Sequence, residues 1–289
     1  MDDRGGELAD FLRTRRARVS PDDAGLPEDG RARRVPGLRR DEVARLAGVS
    51  TEYYTRIEQG RAHNPSPEVL DALARTLRLD PAEREYLMDL LARPTPVRRA
   101  PASPQRVRPG LRLMLQTLGH VPAFILGRRT DVLASNRLAR EVITDFDALP
   151  VPRRNLARYY LLEPEARERV GDWERIAAET VAILRLEAGR SPHDRQLADL
   201  VGELTVKSPE FSVWWNDHRV LRRTHGAKHY RHPLVGELHF SYESFQAPGD
   251  ADQTLCVYNV EPGSGTAEAL RLLTSWTAPQ TSGAPDAGA

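Results

Sequence analysis

Residues 38–60 read LRRDEVARLAGVSTEYYTRIEQG, and the rest of the chain is organised around this stretch. Leu38, Val43, Leu46 and Ala47 recur at the three-and-four spacing of one helix face. Gly48 interrupts the period, where a residue without Cβ can take the left-handed conformation that ends a helix. Val49 is positioned to fill the corner, and Ser50 offers a hydroxyl that accepts from a free amide in the next turn. The second helix is expected over Thr51–Gln59, with Tyr54 and Ile57 facing inward and Gly60 as its stop. Two short helices joined by such a turn form a helix-turn-helix unit, whose second helix can enter the major groove of DNA. A plain bundle hairpin is the competing account, and the specificity of the turn weighs against it.

Toward the N-terminus, Glu7–Val19 reads as a first helix with Leu8, Phe11, Leu12 and Val19 near one face. Between the two lies Ala24–Gly37, a loop with Gly and Pro that carries Arg31, Arg33 and Arg34. It is longer than most helix connections, and two readings stand: an arm that contacts phosphates, or a solvated insertion. Toward the C-terminus, Ser66-Pro67-Glu68 reads as a cap followed by proline at the first helical position, and Asp80-Pro81 repeats the device. These open helices through Leu70, Leu73, Ala74 and Leu77, and through Tyr86, Leu87, Leu90 and Leu91. The expectation for residues 1–92 is an all-α helix-turn-helix domain of about five helices. Arg93–Gly110, RPTPVRRAPASPQRVRPG, lacks any hydrophobic period and reads as an extended, stiff linker over 93–110.

From residue 111 the pattern changes. Val121–Ser135 holds two short apolar runs around Gly127-Arg128-Arg129-Thr130, the signature of a hairpin. Helices are expected over Asn136–Phe146, Trp173–Glu187 and Asp194–Val206, with another opened by Ser208-Pro209-Glu210. Strands follow at Val220–Thr224, Glu237–Phe245 and Leu255–Val260, the second alternating Leu238, Phe240, Tyr242 with His239, Ser241, Glu243. Ser264–Trp276 closes as a helix, and 277–289 is a small-residue tail with no reason to fold. Residues 111–276 therefore read as an α+β domain with an antiparallel sheet of about five strands.

Composition narrows the functional class. A chain of 289 residues with 40% hydrophobic and 29% charged content can bury two cores. No apolar run approaches the roughly 20 residues that a membrane helix needs, so no membrane partner is expected. The opening MDDRGGELADF is acidic and polar, unlike a secretion signal, and the expected location is the cytoplasm. Cys256 stands alone, so neither a disulfide framework nor a thiolate metal cage is available. The net charge of +1 decides nothing, but its distribution does. Eight arginines lie between Arg31 and Arg61 against Asp41, Glu42, Glu52 and Glu58. No glycine-rich phosphate loop and no Gly-x-Ser-x-Gly elbow occurs, so an enzyme is not expected and no cofactor is implied. His225, His229 and His232 are close in sequence, but a strand-to-turn segment need not bring their imidazoles together, and no metal site is assigned.

Two resemblances sharpen this reading. Arg40-Asp41-Glu42-Val43-Ala44, Leu46-Ala47-Gly48-Val49-Ser50 and Tyr54-Thr55-Arg56-Ile57-Glu58-Gln59-Gly60 resemble the DNA-binding domain of the Xre/Cro family of repressors. By that similarity Thr51, Glu52 and Arg56 would read bases, with Arg40 at the start of the preceding helix and Ser50 at the cap. Glu52 has an equal claim as a first-turn carboxylate favoured by the helix dipole. Tyr53 and Gln59 would meet phosphates or remain helix surface, and Arg61, Arg33 and Arg34 would neutralise phosphates. The second half resembles the ligand-binding domain of the MmyB-like transcription regulators, a family with a PAS-like fold. The resemblance is carried by 125–136 (ILGRRTDVLASN), Asp172-Trp173, 200–204 (LVGEL), Ser208-Pro209-Glu210-Phe211, Trp215 and 232–236 (HPLVG). Ser135 departs from the tryptophan often found there.

The resemblance implies a double-stranded DNA operator, a homodimer, and a long-chain fatty acid or similar lipid-like ligand. Phe124, Trp173, Leu184, Phe211, Trp214, Trp215, Phe240 and Tyr242 offer an apolar slot for it, and an ordinary core would use the same residues. Arg185, His218, Arg222 and Lys228 are equal candidates to anchor a carboxylate. Two further readings stay open: a second half that binds nothing and only dimerises, and a metal-binding or enzymatic module.

Overall fold

The structure is a computed structural model describing residues 4–26, 37–62, 65–91, 105–222, 224–247 and 249–276. In chain order its elements are α1 (Arg4–Arg18), α2 (Arg40–Ala47), α3 (Thr51–Glu58), α4 (Pro67–Thr76), α5 (Pro81–Leu91), α6 (Pro109–Thr117), β1 (Ala123–Leu126), β2 (Val132–Ser135), α7 (Arg137–Val142), α8 (Leu156–Leu162), α9 (Pro164–Arg169), α10 (Trp173–Arg190), α11 (Arg195–Lys207), α12 (Pro209–Asn216), β3 (His225–His232), β4 (Gly236–Ala247), β5 (Asp250–Asn259) and α13 (Gly265–Trp276). The chain packs as two compact units: Met1–Pro101 with Ala178–Arg222, and Ala102–Ala177 with Arg223–Ala289. The division does not follow the sequence order read above. Ala178–Arg222, which falls in the second half by sequence, packs with the N-terminal helices.

The helix-turn-helix forms for the reasons its sequence offers. Glu42 reaches back to the Arg39 backbone N–H at 2.7 Å and so closes the start of α2. Gly48 ends α2 at φ +70°, a conformation that would strain any residue with a Cβ. Ser50 Oγ accepts from the Tyr53 N–H at 3.1 Å and opens α3. Ser66 caps α4 in the same way, with Pro67 at its first position. Leu46 departs from the expected face: it is 39% exposed, and Ala44 is buried instead, because α2 turns Val43, Ala44 and Ala47 inward.

One core serves the first unit. Phe11, Leu12, Leu38, Val43, Tyr54, Ile57, Leu73 and Leu87 are almost fully buried in it, together with Leu186 from α10 and Val220 beyond α12. Burying each large apolar side chain contributes about 1.5–3 kcal/mol, so the two late residues matter to the fold of the first hundred. Polar contacts join the same pieces. The Glu7 carboxylate on α1 accepts from Tyr86 on α5 and from Arg185 on α10, with His218 Nδ1 at 3.4 Å. Arg15, also on α1, donates to the His218 carbonyl at 2.5 Å and pairs with Glu83 at 2.9 Å.

The second unit is built on a five-stranded antiparallel sheet of order β2-β1-β5-β4-β3, the α+β class expected for this half. The expected alternation on β4 holds, with Leu238, Phe240 and Tyr242 buried. The expected hairpin is β1–β2, and Asn136 fixes it to α7 by accepting from the Ala123 and Ala139 N–H groups while its amide donates to Leu118 and Val121. One strand lies elsewhere than read from sequence. Among the described residues of Val220–Thr224 none is in a strand; Val220 belongs to the first unit's core, and the edge strand is His225–His232. Its alternation of buried Lys228, Tyr230 and His232 with more exposed neighbours is hidden by polar residue types. Helices α6, α8 and α9 were not anticipated either.

The Glu7 network makes stability depend on pH. Burial pushes this carboxyl up, but the His218, Arg185 and Tyr86 donors outweigh it and hold the pKa at about 2, below the ordinary 4.5. The ionised form is thus favoured in the folded state. Its contribution, about 2–3 kcal/mol, is complete above about pH 4.5 and is lost as pH falls toward about 2. Urea unfolding of wild type and Glu7→Gln should show a stability gap at pH 6 that closes steadily with acid over that window.

Candidate nucleic-acid interface and ligand-facing residues

On α3 the inward side is Tyr54, Ile57 and Glu58, and this fixes what the other side presents. Thr51, Glu52, Arg56 and Gln59 are exposed, and Thr55 and Tyr53 are half-buried. Thr51, Glu52, Thr55, Arg56 and Gln59 therefore form one outward stripe at helical spacing. Thr55 was not singled out from sequence, although the same period that buries Tyr54 and Ile57 assigns it to the stripe. Its hydroxyl donates to the Thr51 carbonyl at 2.7 Å. Arg61 is exposed just past the helix. Tyr53 packs against the core, and Ser50 is committed to its cap. Arg33 and Arg34 lie outside the described residues.

Arg40 stands at the start of α2, as expected, and its guanidinium turns to the end of α3. Its guanidinium donates to Glu58 at 3.2 and 3.0 Å. Arg16 from α1 forks the same carboxylate, Nε to Oε2 and Nη2 to Oε1, both at 3.2 Å, and spends its remaining nitrogen on the Leu38 carbonyl at 2.8 Å. The Glu58 side chain is 3% exposed. Burial alone would raise its pKa, and the two arginines outweigh that and lower it. A carboxylate so buried needs its cations, and this need draws Arg40 to the foot of α3. Neither Arg16 nor Glu58 was assigned a role from sequence. Their pairing spans 42 residues and leaves no local signal.

The twelve residues proposed to face a ligand, eight apolar and four candidate anchors, are divided between the two units. Phe124, Trp173, Phe240 and Tyr242 lie in the second unit. Register places Phe124, Cys256, Tyr258, Tyr242, Phe240, Lys228 and Tyr230 on one side of the sheet, since directly paired residues point the same way. Tyr258 is central: its ring meets Phe124 edge-on at 5.4 Å, Phe240 at 5.6 Å and Tyr242 at 6.1 Å. A chain of hydroxyls runs from Tyr160 to Tyr230 at 3.0 Å and on to Tyr258 at 3.3 Å. Trp173 Nε1 donates to the Tyr160 carbonyl at 2.6 Å. Tyr160, Tyr230 and Tyr258 were missed, although alternation along Leu255–Val260 already pairs Tyr258 with Cys256 rather than with Leu255. On the opposite side Ala123, Ile125, Leu255 and Val257 of β1 and β5 form an aliphatic cluster with Val107 and Leu115.

Leu184, Arg185, Phe211, Trp214, Trp215 and His218 belong to the first unit. Phe211 stacks on Trp215 at 5.2 Å, and the Arg185 guanidinium lies 4.2 Å over the Trp215 ring while bonding Glu7 and the Trp215 carbonyl. Arg185 and His218 thus serve Glu7, and Arg222 serves Glu85. Three of the four candidate carboxylate anchors already hold carboxylates of the chain itself. Among the described residues no group of three His, Cys, Asp or Glu could hold a metal ion. His225 and His229 point to one side of β3 and His232 to the other, so the three cannot converge.

Comparison with known proteins agrees with this geometry. Residues 7–87 match a family model described as a helix-turn-helix domain. Residues 107–273, more than half the chain, match the MmyB-like transcription regulator ligand binding domain. A search of curated proteins finds no match. Among the described residues no helix is long and apolar enough to cross a membrane. With a helix-turn-helix that presents an outward stripe and a separate aromatic-sided sheet, the chain belongs to the MmyB-like transcription regulators, as a helix-turn-helix protein with a ligand-binding domain.

Proposed function

We propose that the protein is a cytoplasmic one-component regulator that binds a paired DNA operator as a homodimer and responds to a long-chain fatty acid or similar lipid-like ligand. The observation that carries the DNA half is the stripe Thr51, Glu52, Thr55, Arg56 and Gln59 on a helix whose other side is fully committed to the core. Side chains near the start of such a helix reach base edges. Arg56 pairs with guanine in this reading, and Arg61, Arg33 and Arg34 neutralise phosphates. Dimerisation follows from the two half-sites that helix-turn-helix repressors read. The ligand half is supported by the aromatic side of the sheet, apolar apart from a few polar groups, which is the chemistry a lipid-like acid requires. Ligand binding changes operator affinity by favouring one of two states of the protein.

Gel shifts against DNA from the protein's own promoter test the first half. A sequence-specific shift at moderate salt is expected, and its absence counts against operator binding. Arg56→Ala should cost about 1–3 kcal/mol of discrimination, roughly five- to 150-fold, with non-specific affinity nearly unchanged. Arg33→Ala with Arg34→Ala should instead weaken all duplexes alike and reduce the slope of log affinity against log salt by about 2.

Palmitate tests the second half. Thermal melts should shift upward with palmitate, and solvent extracts of the purified protein should contain a fatty acid by mass spectrometry. An empty extract together with an unmoved melt would leave the second unit as a dimerisation element without a ligand.

A further inference from the structure

Ala178–Arg222 lies within the segment that matches the ligand-binding family, yet it packs with the helices that carry the DNA-reading stripe. Leu186 and Val220, 4% and 2% exposed, belong to the same core as Phe11, Tyr54 and Ile57. On α10, Gly189 comes so near α5 that an added Cβ would sit 2.4 Å from the Tyr86 ring. Tyr86 is itself buried, packed edge-on against Phe11 at 5.1 Å, and cannot step aside freely. Arg190 and Arg222 both pair with Glu85 on α5.

The first helix takes the remaining contacts. Glu7 holds Arg185 and His218, Arg15 donates to the His218 carbonyl, and Arg18 reaches both Asp217 carboxylate oxygens at 2.8 and 2.9 Å. The same helix carries Arg16, which grips Glu58 at the end of α3 and the Leu38 carbonyl before α2. Helix α1 is therefore bound to Ala178–Arg222 through Glu7, Arg15 and Arg18, and to the DNA-reading pair through Arg16.

We infer that Ala178–Arg222 is a brace that sets the pose of α3, and that Glu7 is a positioning residue acting through α1 and the Arg16–Glu58 pair. The inference rests on the reading of α3 as the base-reading helix. Packed cores and multi-donor carboxylate networks settle into discrete arrangements rather than deforming smoothly, so loosening one end of α1 displaces what the other end holds. Base reading suffers first. Hydrogen bonds to base edges demand placement, whereas attraction to phosphates acts over about 8–10 Å.

The test uses full-length wild type, Glu7→Gln and Gly189→Ala, with a duplex selected by wild type from a random pool and an unrelated duplex as reference. Both variants should lose about tenfold in the ratio of specific to non-specific affinity, with non-specific affinity within about twofold of wild type. Without DNA, amide exchange over Thr51–Glu58 should quicken while exchange in β4 and β5 stays as in wild type. Variants that melt cooperatively and keep both the ratio and the exchange of wild type overturn the inference. So does an equal loss of affinity for both duplexes, which marks unfolding rather than mispositioning. If Glu7→Gln does not fold, Gly189→Ala decides, with Arg18→Ala at the exposed end of the brace as the milder third variant. If wild type selects no duplex, the DNA reading fails by itself. The exchange of Thr51–Glu58 then still decides the brace, and unchanged exchange rejects it.

Discussion

A carboxylate buried at the end of a short helix governs the DNA-reading half of this protein. Glu58 could not be ionised in that position alone, because removing a charge from water costs several kcal/mol. Arg16 and Arg40 compensate it with four charge-assisted hydrogen bonds, and they come from different helices. The three elements are thereby fixed to one point. Because Glu58 faces inward with Tyr54 and Ile57, the residues one step around the helix must face outward. The identity of the outward stripe thus follows in part from an electrostatic demand in the interior.

The second half rests on a different constraint. Across β1 and β5 its sheet turns aliphatic groups to one side, and the paired register gathers Phe124, Phe240, Tyr242, Tyr230 and Tyr258 on the other. On the aromatic side three tyrosine hydroxyls bond to one another, which satisfies polar atoms that burial would otherwise penalise. Burial raises the pKa of Tyr230 well above that of an ordinary phenol, so its hydroxyl stays neutral throughout the physiological range.

What could be read in advance was whatever depends on neighbours in sequence. Gly48, Ser50, Ser66-Pro67 and the alternation along β4 each state their role within a few residues, and the helices and the strand formed where those signals lie. The edge strand His225–His232 was misplaced because three histidines, a lysine and an arginine mask its period when residues are weighed by hydrophobicity. The partition of the aromatic residues was out of reach for another reason. Trp215 and His218 are held by Arg185, Glu7 and Arg15, and the Arg15 bond joins positions 203 apart. Nothing local announces such a contact, so Trp214 and Trp215 looked like companions of Phe240, although they belong to the first unit.

The presence of Leu186 and Val220 in the helical core also bears on how such proteins can recombine. A regulator assembled as beads on a string could exchange its sensor by a single crossover in the proline- and arginine-rich stretch. Here a chimera cut at that point would strip the N-terminal head of two apolar plugs, take Arg185 and His218 from Glu7, and take Arg190 and Arg222 from Glu85. Replacing the second half of this chain therefore calls for a graft that carries Ala178–Arg222 along, or for compensating surface changes in the head. In this chain the sequence signatures look separable, while the packing of Leu186 and Val220 ties part of the second match to the first unit.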